Sequence, residues 1–166
     1  WFFAAFAVDG YASAGNILSG KLLGEGEFNT LFKLSKVLTK KALIVGVVMG
    51  SLGGIFYFPI GRLFSPDPDV LSNFYDIFWI VLIMQPLCAI TFVFDGIFKG
   101  LGKMRTLRNV LLGSTLLVFI PALVISDQIN LKLHGILYAF TLWIIARGFP
   151  LIVKFRKQFL PQILKH

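Results

Sequence analysis

The stretch Ala42–Gly61, ALIVGVVMGSLGGIFYFPIG, holds no ionisable side chain other than one tyrosine. About 20 apolar residues are what a helix needs to cross the ~30 Å hydrocarbon core of a bilayer. Such a run leaves few folds open, because lipid offers backbone N–H and C=O groups no partner and a helix satisfies them itself. Four more segments behave alike. Trp1–Gly20 carries one charge, Asp9, and Ile77–Phe98 runs through 18 uncharged residues before Asp95. Asn109–Ser126 has no charge, and Leu133–Val153 has only Arg147. No run alternates with period two, which argues against a β-barrel. The expected fold is all-α: a polytopic membrane helix bundle with spans at about 1–20, 42–61, 77–98, 109–126 and 133–153.

Composition enters where a soluble domain has to be excluded. Charged residues make up 14% of the chain, against ~25% in an average soluble protein. Mean hydropathy is +0.81. The net charge of +8 would suggest nucleic acid for a soluble protein, but its distribution gives a different reading. Of the 16 Lys and Arg, 13 fall in the loops after the first and third spans, in the entry to the fourth and in the C-terminal tail. Only Arg62 and Lys132 fall on the other side, and Arg147 lies within a span. The bias alternates as five spans require and places the C-terminus in the cytoplasm. Membrane lipids, not nucleic acid, are the expected surroundings.

The connections read accordingly. GEGEFNTLFKLSKVLTKK is expected to be a loop with a short amphipathic helix on the cytoplasmic leaflet, since Lys33, Lys36, Lys40 and Lys41 recur with helical spacing. The prolines of GRLFSPDPDV stop one span and open the next. The chain starts at Trp1 inside an apolar run, with no basic segment or cleavage site before it. It is expected to be a fragment whose missing N-terminal portion lies outside before the first span, so that an odd number of further spans would bring a cytoplasmic N-terminus. Two histidines and one cysteine form no metal-ligand spacing, and no cofactor is expected.

Ionisable groups within spans are costly and mark function or pairing. Asp9 stands 12 residues before Lys21, which puts it roughly 18 Å from the cytoplasmic edge. A carboxylate at that depth is either a proton or cation site, with Asn16 adding a polar atom, or a buried acid held by helix–helix hydrogen bonds. Asp95 precedes Lys99 by four residues and lies only ~6 Å deep. Arg147 precedes Lys154 by seven, at ~10 Å. Asp95 and Arg147 are expected to pair and close the cytoplasmic side. Otherwise Asp95 answers its own Lys99, and Arg147 snorkels to the headgroups. Gln85-Pro86 breaks the middle of the third span, with Gln85 either lining a cavity or sitting at a packing kink. Pro121 is read as an ordinary kink. Gly46/Gly50 and Ala12/Asn16/Gly20 are small-residue stripes that let helices approach.

Four stretches, in register, resemble the multidrug and toxic compound extrusion (MATE) family, DinF-like branch. FDGIFKGLGKMRTLRN resembles a signature late in its C-terminal half, and FAVDGYASAGNILSGKLLGEGE the helix near the start of that half. LFSPDPDVL is similar to a short outer loop, and IIARGFPLIV to the last helix. The resemblance implies helices eight to twelve of a twelve-helix protein built from two six-helix lobes. It also implies a multi-pass cell (inner) membrane location, and export of cationic or amphipathic compounds driven by H+ or Na+ antiport. The absent N-terminal lobe would be a partner in the same chain. Some relatives have a functional acid at the place of Asp95. A lipid-linked saccharide flippase of the same superfamily is the first alternative. A membrane-embedded enzyme is disfavoured by the ~12 Å difference in depth between Asp9 and Asp95, and a structural subunit would not need Asp9 or Arg147.

Overall fold

A computed structural model describes residues 2–163, with the backbone alone at 2–5, 64, 132, 162 and 163. Trp1 and Lys165, both used above, lie outside the described residues. Every element among the described residues is helical: α1 Phe2–Gly24, α2 Phe28–Ile55, α3 Tyr57–Phe64, α4 Pro68–Gly100, α5 Met104–Ser114, α6 Ile120–Gln128 and α7 Lys132–Ile163. One π-helical turn, Thr115–Phe119, joins α5 and α6 into a single rod. Four stretches are long and apolar enough to cross a membrane: Phe28–Ile55, Pro68–Gly100, Met104–Gln128 and Leu133–Pro161. The fifth long helix, α1, has 23 residues and lies in the same bundle.

Three connections close the same way. Gly26 and Gly102 have φ of 72° and 68°, and Asn130 has φ 55°. Each ends a helix in the left-handed conformation, with the next N–H reaching back to a carbonyl of the last turn. These bonds are Glu27 to Leu22, Lys103 to Phe98 and Leu131 to Ser126, each at 3.0 Å. At its other end α4 starts at Pro68, where Asp67 caps the helix by accepting the Asp69 N–H at 2.9 Å. Proline suits that first position because its missing donor has no use there.

The helices differ from the expected spans at several points. The amphipathic stretch 31–41 is not separate: α2 runs unbroken from Phe28 to Ile55. Nothing there forces a stop, since the segment has no proline and its buried Leu31, Ser35, Leu38, Ala42 and Gly46 form one stripe of helical period. The second span ends early, at Ile55, and α3 follows. Pro59 is the cause, because its ring would clash with the Ile55 carbonyl one turn back. At Pro121 the structure adds a feature to the expected kink. The turn before it widens, and the Ile120 N–H bonds to the Thr115 carbonyl, a local π-bulge.

α4 is the central helix, with α1, α2 and α7 packed on it. Hydrophobicity alone does not drive association in lipid; close packing and interhelical bonds do. Gly96 lies against the Ala12 carbonyl and Gly100 against the Asn16 carbonyl, and a Cβ at either would collide with them. The Ser19 hydroxyl donates to the Ile97 carbonyl at 3.1 Å. These contacts set α1 parallel to α4. Gly46 meets Pro86 and Gly50 meets the Leu82 carbonyl, so α2 is antiparallel. The Leu82 carbonyl is the one Pro86 leaves without its helical donor. Thr141 on Met84 and Arg147 on Asp95 set α7 parallel to α4. α1, α4 and α7 therefore run one way and α2 the other, as the expected alternation of spans has them. An aromatic core of Phe94, Phe98, Phe155 and Phe159, all buried, fills the lysine-rich end of the bundle.

Candidate functional site

The groove between α1, α4 and α7 collects most of the in-span charge. Its volume is about 300 Å³, and Asp9, Asp95, Lys99 and Arg147 line it with Phe6 and Phe92. Register explains why. Ala12 against Gly96 and Asn16 against Gly100 bring Asp9 level with Val93. Two residues of helix separate that level from Asp95, about 3 Å. The expected ~12 Å difference in depth is therefore wrong. It took Lys21 and Lys99 as marks of one plane, whereas packing sets Lys21 six residues, about 9 Å, beyond Lys99. The objection that these two acids lie too far apart to act on one site falls with it.

Asp95 is 5% exposed. Arg147 donates from Nη2 to Asp95 Oδ2, forming an ion pair between α4 and α7. Lys99, on Asp95's own helix, is exposed. The Arg147 guanidinium also rests over the Trp143 ring, 5.4 Å from its centre, a cation–π arrangement. The Trp143 indole N–H donates to the Thr115 hydroxyl at 3.0 Å, and that hydroxyl donates to the Leu111 carbonyl at 2.9 Å. A line of contacts thus runs from Asp95 through α7 to the first residue of the π-turn. Trp143 and Thr115 were missed in the sequence. Trp143 had a signal, standing four residues before Arg147 and so on the same helix face; nothing in the sequence marks Thr115.

The pair is incompletely satisfied. Asp95 Oδ1 and Arg147 Nε are buried without a hydrogen-bond partner. A buried ion pair is favourable only if its remaining lone pairs and protons are also bonded. Two other candidates lie elsewhere. Gln85 is buried where α2 crosses α4, its carbonyl against Gly46. Asn16 is exposed, and its backbone carbonyl, not its amide, touches Gly100. Neither lines the groove of Asp9 and Asp95.

The sequence matches the MatE family over residues 1–124. The chain belongs to the MatE family. It is similar to the Arabidopsis thaliana protein named Protein DETOXIFICATION 45, chloroplastic, with 27% identity over 61% of this chain and 18% of that protein. It is also similar to Uncharacterized transporter C323.07c of Schizosaccharomyces pombe, with 32% identity over 76% of this chain and 24% of that protein. No solved structure matches significantly. The chain therefore spans about a quarter or less of the curated relatives it matches. Within this MatE chain the matched region holds Asp9, Gln85 and Asp95 and stops before α7. The partner of Asp95, Arg147, lies beyond it.

Proposed function

We propose that this MatE chain is part of a secondary active exporter of cationic or amphipathic compounds, driven by H+ or Na+ antiport with alternating access. The observation that carries the reading is the groove lined by both Asp9 and a buried carboxylate, Asp95, whose Oδ1 is unbonded. A proton or cation entering there competes with Arg147 for Asp95. Neutralising Asp95 frees Arg147, and freeing Arg147 loosens α7 from α4. Site occupancy is thereby coupled to helix packing, as alternating access demands. The name of the Schizosaccharomyces pombe relative, a transporter, agrees with this reading.

Efflux of a fluorescent cation from vesicles holding the full-length protein tests it, with Asp9→Asn, Asp95→Asn and Arg147→Ala compared. Loss of ion-dependent efflux in Asp95→Asn is expected. Unchanged efflux in all three removes the site assignment. The flippase alternative is kept by one observation, that Lys99 joins Arg147 on the groove wall and gives a pyrophosphate two cations. Transfer of a lipid-linked saccharide without cation efflux would favour it.

A further inference from the structure

A second groove lies on the other side of α4, between α2, α4 and α7, with a volume of about 330 Å³. Its polar rim carries Lys36, Lys40 and Arg156, and no acid lines it among the described residues. Its floor is aromatic. Phe32 of α2 stacks on Phe155 of α7, 6.2 Å between centres at 5°, and Phe94 of α4 meets Phe155 edge-on. The Lys36 ammonium sits 4.7 Å over the Phe32 ring, which holds one cation in place at the rim.

This groove does not end at the rim. Ile90 and Ile152 line it and also line a narrower furrow of about 170 Å³ between α4 and α7. That furrow is almost wholly apolar and continues past Gly148 to Ile144 and Ile145. From Arg156 to Ile144 is 12 residues of α7, about 18 Å. That is a little more than half the ~30 Å hydrocarbon core, or one leaflet. The cations stand at the lysine-rich end of the bundle, and the furrow leads from them toward its middle.

A cationic rim and an apolar furrow that together run about one leaflet match one kind of ligand, an anionic amphiphile with a phosphate head and an acyl tail. We infer that this groove binds an anionic phospholipid of the surrounding leaflet, its headgroup on Lys36, Lys40 and Arg156 and one acyl chain along Ile90, Ile152 and Ile145. The site is separate from the groove of Asp9 and Asp95 and does not rest on the transport reading. It also gives the lysines of α2 a more specific role than general attraction to the membrane surface: Lys36 and Lys40 face the groove, while Lys33 and Lys41, equally basic, do not line it.

The test is native mass spectrometry of the delipidated full-length protein, titrated with phosphatidylglycerol or phosphatidylcholine of the same chain length. Wild-type protein is expected to retain phosphatidylglycerol preferentially. Lys36→Gln, Lys40→Gln and Arg156→Gln together should lose about fivefold in affinity per cation removed. Lys33→Gln with Lys41→Gln removes charge outside the groove and should change little. Ile145→Trp fills the furrow at an exposed position without altering charge, and should weaken retention while thermal melting stays as in wild type. It decides the matter if the triple variant does not fold. Equal retention of the two lipids, or equal losses in the triple variant and the Lys33/Lys41 control, would overturn the site. So would no retention by wild type, which would mean another part of the protein fills the groove.

Discussion

Asp9-Gly10 on α1 and Asp95-Gly96 on α4 are the same two residues on parallel helices, half a turn apart in level, and packing treats them oppositely. A Cβ on Gly10 would meet nothing within 4 Å, whereas one on Gly96 would collide with the Ala12 carbonyl. Asp9 is exposed in the chain, and Asp95 is buried and paired with Arg147. The glycine accounts for the difference. Gly96 lets α1 lie against α4, and that contact walls one side of Asp95. Gly10 faces away from the seam, so Asp9 is left on the open lip of the groove. One step is built into the bundle; the other is presented to whatever enters.

The sharpest way to break the comparison is at the ion pair. Removing one partner leaves a buried charge unmatched, which typically costs 3–5 kcal/mol, while replacing both by apolar residues is often neutral or stabilising. Asp95→Ala and Arg147→Ala should each lower the melting temperature of the full-length protein substantially. Asp95→Leu with Arg147→Leu should recover most of the loss, because it also removes the unbonded Oδ1 and Nε. If the double variant melted as low as the singles, the pair would not be a closed unit, and Asp95 would need a second partner.

The glycines come next. Gly96→Ala forces α1 away from α4, an overpacking cost of about 1–3 kcal/mol. Gly10→Ala fills open space on a helix and should stabilise by about 0.5–1 kcal/mol through helix propensity. Opposite signs in thermal melting are the expected outcome. Two losses of equal size would place Gly10 at a packed interface in the full-length protein.

Much of this arrangement was legible in the residues. The uncharged runs and the lysine bias implied alternating helix directions, and the contacts of α4 with α1, α2 and α7 run in those directions. The pairing of Asp95 with Arg147 followed from counting residues to the nearest cations on their own helices. The same count failed for Asp9. It assumed that Lys21 and Lys99 mark one plane, and the packing of Ala12 on Gly96 and Asn16 on Gly100 sets Lys21 about 9 Å beyond Lys99. Relative depth between helices is set by which small residues meet, here Gly96 on Ala12 and Gly100 on Asn16, and a single sequence does not say which stripe faces which. The length of α2 was hidden for a related reason. Lysines at 33–41 looked like an interfacial segment, yet they are exposed side chains on a long helix whose stripe from Leu31 to Gly46 is buried. The reach of Trp143 to Thr115 depends on the π-turn, which Pro121 hinted at only as a bend.

Asp9 gives the smallest effect on stability and the finest test of the contrast. Its side chain is exposed in the chain, and substitutions at such positions usually stay within about ±0.5 kcal/mol. Asp9→Asn should therefore leave the melting temperature nearly unchanged. It does remove one of the two carboxylates lining the groove, while Lys99 and Arg147 remain. Under the proposed function, a cation approaching Asp95 then meets a more positive entrance, and ion-dependent efflux should require a higher driving-ion concentration. Asp95→Asn should instead lose efflux and stability together. Added salt separates the two further, since an exposed charge is screened within about 10 Å at 0.1 M and a buried pair much less. The effect of Asp9→Asn should shrink as ionic strength rises, and that of Asp95→Asn should persist. A marked fall in melting temperature for Asp9→Asn would mean that this carboxylate is bonded in the full-length protein, and the two Asp-Gly steps would then be equivalent after all.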